Sequence, residues 1–176
     1  MRPVLVLLTG ALCALTAARF GVSLELPAYL LLVVAGVLLA AIDRRHHLLP
    51  NRVVLPTLVT GAVLLTGAAA VTGEWPALLR ALVAGGAVFG VLLLMALASP
   101  GGLGMGDVKL GAVLGLYLGW LGWPHVVLGV FAGFLVQALL ALALMAGRRV
   151  GPHSELPFGP ALLLGTGLVV LAPLVT

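Results

Sequence analysis

The chain has 176 residues, of which 62% are hydrophobic and 8% charged, and its mean hydropathy is +1.28. This composition excludes a soluble globular domain and is typical of a protein with several membrane-spanning helices. A single cysteine excludes an internal disulfide and zinc sites built from paired cysteines, and a net charge of +4 without a basic cluster argues against nucleic-acid binding.

Seven apolar stretches, separated by Pro, Gly or charged residues, predict helices that cross a bilayer, which takes roughly 20 residues with ~17 tolerated. They lie near residues 3–18, 28–42, 53–71, 77–98, 108–122, 124–146 and 158–175. The first and fifth are short, so six to eight spans fit the pattern. The connecting loops are too short for a soluble domain, and we therefore expect an all-α polytopic membrane protein with residues 1–176 in one bundle.

The first stretch also has the basic start and apolar middle of a secretory signal. Because the next apolar stretch follows within ten residues, we favour a first helix that is retained in the membrane.

The distribution of Lys and Arg predicts the orientation, because cytoplasmic loops carry an excess of these residues. With a cytoplasmic N-terminus, only Arg19 and Arg80 fall on the outer side. The inner side then receives Arg2, Arg44, Arg45, Arg52, Lys109, Arg148 and Arg149. We expect a protein of the plasma (inner) membrane with its N-terminus in the cytoplasm and its basic loops near anionic headgroups of the lipid bilayer.

Only two of the five acidic residues are aspartates, and both are predicted at helix ends. Asp43 closes the second stretch in AAIDRRHHLLPN, and Asp107 precedes the fifth in GMGDVKL. Since an even number of predicted helices separates them, both carboxylates must lie on the same side of the membrane. The orientation makes that side cytoplasmic.

Two readings of these aspartates are open. Each one is explained by itself as a helix-end residue, with Asp107 as the N-cap of the fifth helix. Ionisable residues near membrane depth are nevertheless costly and are functional candidates. Two carboxylates suit aspartic proteolysis, in which one is ionised and takes a proton from water while the other is protonated and hydrogen-bonds the scissile carbonyl. This chemistry requires no metal and no cofactor.

The glycines before Asp107 fit such a role, because Gly104 and Gly106 permit unusual dihedral angles and a close approach of substrate backbone. Taken alone, a GxGD pattern is weak. Lys109 lies two residues after Asp107, so the two side chains do not share a helix face, and Lys109 is expected to reach towards the headgroups.

Three motifs carry a resemblance to a known family. GMGDVKL resembles the GxGD(x)K signature of the type IV prepilin peptidases, a branch of the intramembrane GxGD aspartyl proteases. DRRHHLLPN resembles the family's other catalytic segment, and LPFGPALLLG its late Pro-Phe-Gly-Pro motif. Between Asp107 and the third motif lie two more predicted spans, so all three motifs meet at one membrane face. The resemblance covers about residues 28–167.

The resemblance implies that Asp43 and Asp107 are the catalytic pair. It also implies that nine further residues bind substrate or shape the loops around the pair: Pro50, Asn51, Gly104, Gly106, Lys109, Pro157, Phe158, Gly159 and Pro160. The implied partners are prepilin or pseudopilin substrates, whose short leader is cut at the cytoplasmic face just before a hydrophobic helix. The longest family members carry a cysteine-containing cytosolic insertion associated with N-methylation, and this chain has neither the room nor the cysteines for it.

Two other classes remain open from the residues alone. A small proton-coupled transporter would use the aspartates as a proton or cation relay, but such acids are expected near mid-membrane. A structural bundle would pack through small residues, and Gly111, Gly115 and Gly119 follow one another at four-residue spacing. That spacing predicts close helix packing but leaves the aspartates unexplained.

Overall fold

The computed structural model describes residues 2–46, 48–98, 103–146 and 158–172, without the side chains of Arg2 and His46. Within these ranges the chain forms seven α-helices and no strand. They are α1 Arg2–Phe20, α2 Leu26–His46, α3 Asn51–Thr72, α4 Trp75–Ala98, α5 Met105–Leu121, α6 Trp123–Ala146 and α7 Gly159–Leu171. The seven predicted helices are confirmed.

Five of these helices, α1 to α4 and α6, are long and apolar enough to cross a membrane. Together with the two shorter helices they make this an all-α polytopic membrane protein, as its composition predicts. In the part of the chain that the structure describes, α7 has 13 residues and α5 has 17.

Helix α5 lies at the centre of the bundle, because most of its residues from Val108 to Trp120 are buried. It packs closely against α4 through the predicted glycine stripe. A Cβ atom on Gly115 would lie 2.7 Å from the backbone oxygen of Ala84, and one on Gly119 would lie 2.6 Å from the Ala84 Cβ. Small residues thus let the two helix backbones approach, which is the interaction available to helices in lipid.

The end of α5 that is remote from Asp107 is held by Arg80 of α4. The guanidinium donates hydrogen bonds to the backbone oxygens of Gly119 and Trp120, each at 2.7 Å. The last carbonyls of a helix have no partner within the helix and carry partial negative charge, so a cation is favoured there. Arg80 therefore caps the central helix, a role that charge counting does not reveal.

Candidate active site

Asp43 lies three residues before the end of α2, because the helix continues to His46 beyond its apolar stretch. Its side chain is only 5% exposed. The following Arg44 and Arg45 are exposed, so the carboxylate points into the bundle while its basic neighbours face outwards. Asp43 therefore lies near a helix end, as expected, but it is buried.

Asp107 lies in the first turn of α5 and is half-buried. The N-cap position belongs to Gly104, and no side chain caps this helix end. Asp107 therefore does not act as the N-cap. The Gly104 carbonyl oxygen accepts hydrogen bonds from the backbone N–H groups of Asp107 and Val108.

Gly159, the first residue of α7, lies between the two carboxylates. A Cβ atom on Gly159 would lie 2.9 Å from Asp43 Oδ2 and 3.4 Å from Asp107 Oδ1. The two oxygens are therefore at most about 6 Å apart, and both face the position where Gly159 has no side chain. Helices α2, α5 and α7 thus bring one residue of each predicted motif together at one end of the bundle.

Leu49 forms the apolar side of this site. Its Cβ atom would lie 2.8 Å from a Cβ on Gly106, and its Cδ1 atom 3.3 Å from one on Gly159. Glycine at 106 is thus explained by the space that Leu49 fills. Sequence reasoning missed Leu49, although it occupies the apolar position before Pro50 in the DRRHHLLPN motif.

The expected unusual dihedral angles at the GxGD glycines are absent. Gly104 has φ −74° and ψ 145°, an extended conformation that any residue adopts, and Gly106 is not among the positive-φ glycines of the described chain. A Cβ on Gly104 would lie 3.3 Å from Asp107 Oδ2. Both glycines are therefore required for space around the acid and its neighbours, and not for backbone freedom.

Burial and a neighbouring charge both change the pKa of Asp107. This residue precedes the apolar part of α5 and lies outside the five membrane-length helices. The pKa of Asp107 is raised from 3.8 to about 6. Burial is the largest cause, the negative charge of Asp43 adds to it, and a backbone hydrogen bond at Gly104 opposes both. Near neutral pH, ionising the second carboxyl group of the pair therefore costs free energy, as expected for two neighbouring carboxylates.

Lys109 and Asn51 form a contact of their own on another side of α5. The Lys109 Nζ donates a hydrogen bond to Asn51 Oδ1 at 3.0 Å and so joins the beginnings of α5 and α3. The N-cap of α3 is Pro50, whose conformation is extended, so Asn51 is the first helical residue and its side chain does not cap the helix.

The late motif begins α7. Phe158 is the N-cap and is buried, with its ring 5.0 Å from that of Phe134 on α6. Pro160 lies in the first turn, where its missing N–H costs nothing. The predicted Pro157 lies outside the described residues. Phe158 thus anchors the helix start that places Gly159 between the aspartates.

No group of three or more His, Cys, Asp or Glu side chains among the described residues could hold a metal ion. The described side chains offer a pair of carboxylates with an apolar flank, and both carboxylates lie close to Gly159, which has no side chain. Such a pair can share a proton, and one member can accept a proton while the other donates a hydrogen bond.

Comparisons with known proteins identify the family of the chain. The profile of the type IV leader peptidase family matches residues 29–144. A "Prepilin leader peptidase/N-methyltransferase" of Bacillus subtilis (strain 168) is 32% identical over 97% of this chain and 66% of its own length. Proteins with the same name from Pseudomonas aeruginosa and Burkholderia pseudomallei (strain 1026b) are 33% and 37% identical, over 96% and 93% of this chain.

The chain spans between about half and two thirds of the length of these curated relatives, with 57% and 52% of the latter two covered. No solved structure matches the chain. The family profile nevertheless covers more than half of the sequence, including both Asp43 and Asp107. The chain therefore belongs to the type IV leader peptidase family.

Proposed function

We propose that this protein is an intramembrane aspartyl endopeptidase that removes the short leader from type IV prepilin-like or pseudopilin precursors, with Asp43 and Asp107 as its catalytic pair. The observation that carries the proposal is the convergence of both carboxylates on the backbone of Gly159. Family membership and the names of the relatives supply the reaction class and the substrate.

In this mechanism the pair holds one proton. The ionised carboxylate accepts a proton from a water molecule as the water oxygen attacks the scissile carbonyl carbon. The protonated carboxyl donates a hydrogen bond to the carbonyl oxygen and stabilises the developing charge. The tetrahedral intermediate then collapses, its C–N bond breaks, and the leaving amine receives a proton from the pair. Because the two acids titrate as a unit, the roles belong to the pair.

The gap at Gly159 gives this mechanism its space. A side chain there would come within contact distance of both carboxylates. A water molecule and a substrate carbonyl need that same space. Leu49 on the flank excludes bulk water from one side and so strengthens the electrostatic interactions in the gap.

The site acts at the cytoplasmic face of the plasma membrane in this proposal. The described basic residues near the pair, Arg44, Arg45 and Lys109, belong to the helix ends that carry or adjoin it. Arg80 binds the opposite end of α5. This asymmetry supports a cytoplasmic pair and a cytoplasmic N-terminus under the positive-inside rule.

A proton-coupled carrier is the weaker alternative. It calls for acids at the middle of the membrane, whereas Asp43 lies one turn from the end of α2 and Asp107 in the first turn of α5. Acids at helix ends lie closer to the aqueous phase, from which hydrolysis draws its water, than acids at mid-membrane do.

The test is cleavage of pilin-like precursors by membranes that contain the wild type, Asp43→Asn or Asp107→Asn at matched expression. Each substitution is expected to abolish leader removal, because Asn neither accepts nor supplies the shared proton. Glu74→Gln, at an exposed acid before α4, is the matched control and is expected to cleave normally. Cleavage by either aspartate variant at the wild-type rate would refute the two-aspartate mechanism.

A further inference from the structure

An apolar groove with a volume of about 350 Å³ lies between α1, α2, α5 and α7. Its polar side chains are few, and two of them are already bonded within the protein. The Thr16 hydroxyl donates to the Leu12 carbonyl oxygen at 2.8 Å, and the Tyr29 hydroxyl donates to the Tyr117 carbonyl oxygen at 2.8 Å. The groove therefore presents an apolar surface that suits an apolar occupant.

The groove lies directly below the aspartate pair. Each helix that contributes to the site also lines the groove seven residues deeper: Gly36 on α2, Leu114 on α5 and Thr166 on α7. Seven residues make nearly two helical turns, or about 10 Å, so these positions share the faces of Asp43, Asp107 and Gly159.

The upper end of the groove adjoins the site itself. Arg44 and Pro160, the residues after Asp43 and Gly159, line that end. Along α2 the lining then continues from Arg44 down to Tyr29, a distance of about 22 Å at 1.5 Å per residue. The groove thus extends from the pair through most of a hydrocarbon layer.

We propose that this groove holds the apolar segment that follows the cleaved bond of the precursor. The inference rests on the proposed function, in which the leader is cut just before a hydrophobic helix. With the scissile bond at the pair, that helix must continue into the membrane along the faces of α2, α5 and α7 below it. Continuity between the groove and the site selects this occupant over a lipid.

Helix α1 is the wall that moves aside to admit the segment. Only 6% of its membrane-length window is buried, against 39% for α2 and 33% for α3. A helix with so little buried surface is held weakly and separates at low cost. Entry from the bilayer past α1 brings a membrane-bound precursor to the pair without leaving the lipid.

A second apolar cavity, with a volume of about 770 Å³, lies between α3, α4 and α5. It is larger, but Lys109 and Ala112 line it, and these lie roughly 200° and 140° around α5 from Asp107. A segment in this cavity would be separated from the pair by α5. A substrate segment in the groove would lie on the same side of α5 as the pair, and one in the second cavity would lie on the opposite side.

Two glycines allow a matched test. Gly167 lines the groove and Gly86 lines the second cavity, and a Cβ atom on either would meet nothing within 4 Å. Gly167→Leu and Gly86→Leu therefore each add a side chain to open space on a helix. Gly90→Leu, which has equally open surroundings and lines neither cavity, is the control for the added leucine.

Cleavage of a pilin-like precursor in proteoliposomes is measured for the full-length variants, together with their melting temperatures in detergent. Gly167→Leu is expected to lower kcat/KM at least about tenfold, mainly through KM, since small mismatches in an apolar site cost ~10–200-fold. Gly86→Leu and Gly90→Leu are expected to stay within about twofold of wild type. Wild-type activity of Gly167→Leu, or selective loss in Gly86→Leu, would overturn the groove assignment while leaving the peptidase proposal intact.

A second measurement is independent of turnover and of the added leucine. A photoreactive amino acid replaces Gly167 or Gly86 in the Asp107→Asn background, and the precursor is added before irradiation. Cross-links from position 167 to the apolar segment of the precursor, and none from position 86, support the assignment. Cross-links from position 86 alone, or only to lipid at position 167, refute it. If the wild type cuts no precursor, the proposed function fails, and the occupant of the groove fails with it.

Discussion

Replacing Gly159 by alanine tests the gap between the aspartates most directly. The new Cβ atom would lie 2.9 Å from Asp43 Oδ2, about 0.5 Å closer than the 3.4 Å at which ordinary contact begins. It would lie 3.3 Å from the Leu49 Cδ1 and 3.4 Å from Asp107 Oδ1. A carboxylate at the end of a side chain can rotate away, so the fold should tolerate the change while the geometry of the pair should not.

The expected effect on stability is small. Gly159 is the first residue of α7, and the closest atom to the new methyl group is the end of a side chain, which can shift at little cost. The expected effect on activity is large, because displacing a catalytic group by ~1 Å costs ~100-fold and the methyl group also occupies the space of the attacking water. We expect kcat for precursor cleavage to fall about 10- to 100-fold, with a melting temperature close to that of the wild type.

The assay compares kcat and thermal unfolding of Gly159→Ala with those of Gly90→Ala. Gly90 lies in the middle of α4, where an added methyl group meets nothing within 4 Å, so this control adds the same methyl group without the contact. A Gly159→Ala enzyme with the wild-type kcat would show that the gap is not used in catalysis. Loss of activity together with a large loss of stability would refute the separation of the two effects.

Three further substitutions test the electrostatics and the packing of the bundle. Because the pKa of Asp107 is raised to about 6, the folded chain binds this proton more tightly than the unfolded chain, and wild-type stability falls as the pH rises from about 4 through 6. Above pH 6, thermal melts are expected to show Asp107→Asn more stable than wild type by up to about 3 kcal/mol. This is an upper value, because the carboxyl is partly exposed. Equal pH dependence of stability in both proteins would contradict this prediction. Gly115→Val places a side chain against the Ala84 carbonyl oxygen and should cost about 3 kcal/mol, whereas Gly67→Val, in open surroundings on α3, should cost less than about 1 kcal/mol in the same melts. Arg80→Met keeps most of the apolar side chain but leaves two carbonyl oxygens of α5 without their donor. The free energy of unfolding should therefore fall by about 2–3 kcal/mol. An unchanged melting temperature would exclude the capping role.

The sequence predicts the helices well because hydropathy and length determine membrane spans directly. All seven elements appear near their predicted bounds, and counting helices between Asp43 and Asp107 is enough to place both at one end of the bundle. The same counting predicts that the late motif joins them, and Gly159 does so. These successes depend on topology, which the order of apolar stretches specifies.

The sequence does not predict which atoms fill the space around the pair. Leu49 resembles many other leucines in the chain, and only packing reveals that it lies against Gly106 and Gly159. The hydrogen bond from Lys109 to Asn51 joins residues 58 positions apart, and no local pattern announces it. Of the two reasons predicted for glycine at position 104, the unusual dihedral angles are absent, and the close approach of substrate backbone stays a prediction.

The position of the pair reconciles two demands that conflict inside a membrane. Hydrolysis needs water and a route for protons, which favours the ends of helices, whereas recognition of an apolar segment needs depth in the hydrocarbon layer. In this bundle the acids lie within a turn of the ends of α2 and α5, and the groove begins beside them and extends inwards. A precursor that fills the groove has its apolar segment in lipid-like surroundings and the bond before that segment at the boundary with water. In the proposed mechanism the boundary itself then selects the bond to be cut, and we expect the leader to need few specific contacts beyond those that bring it to the pair.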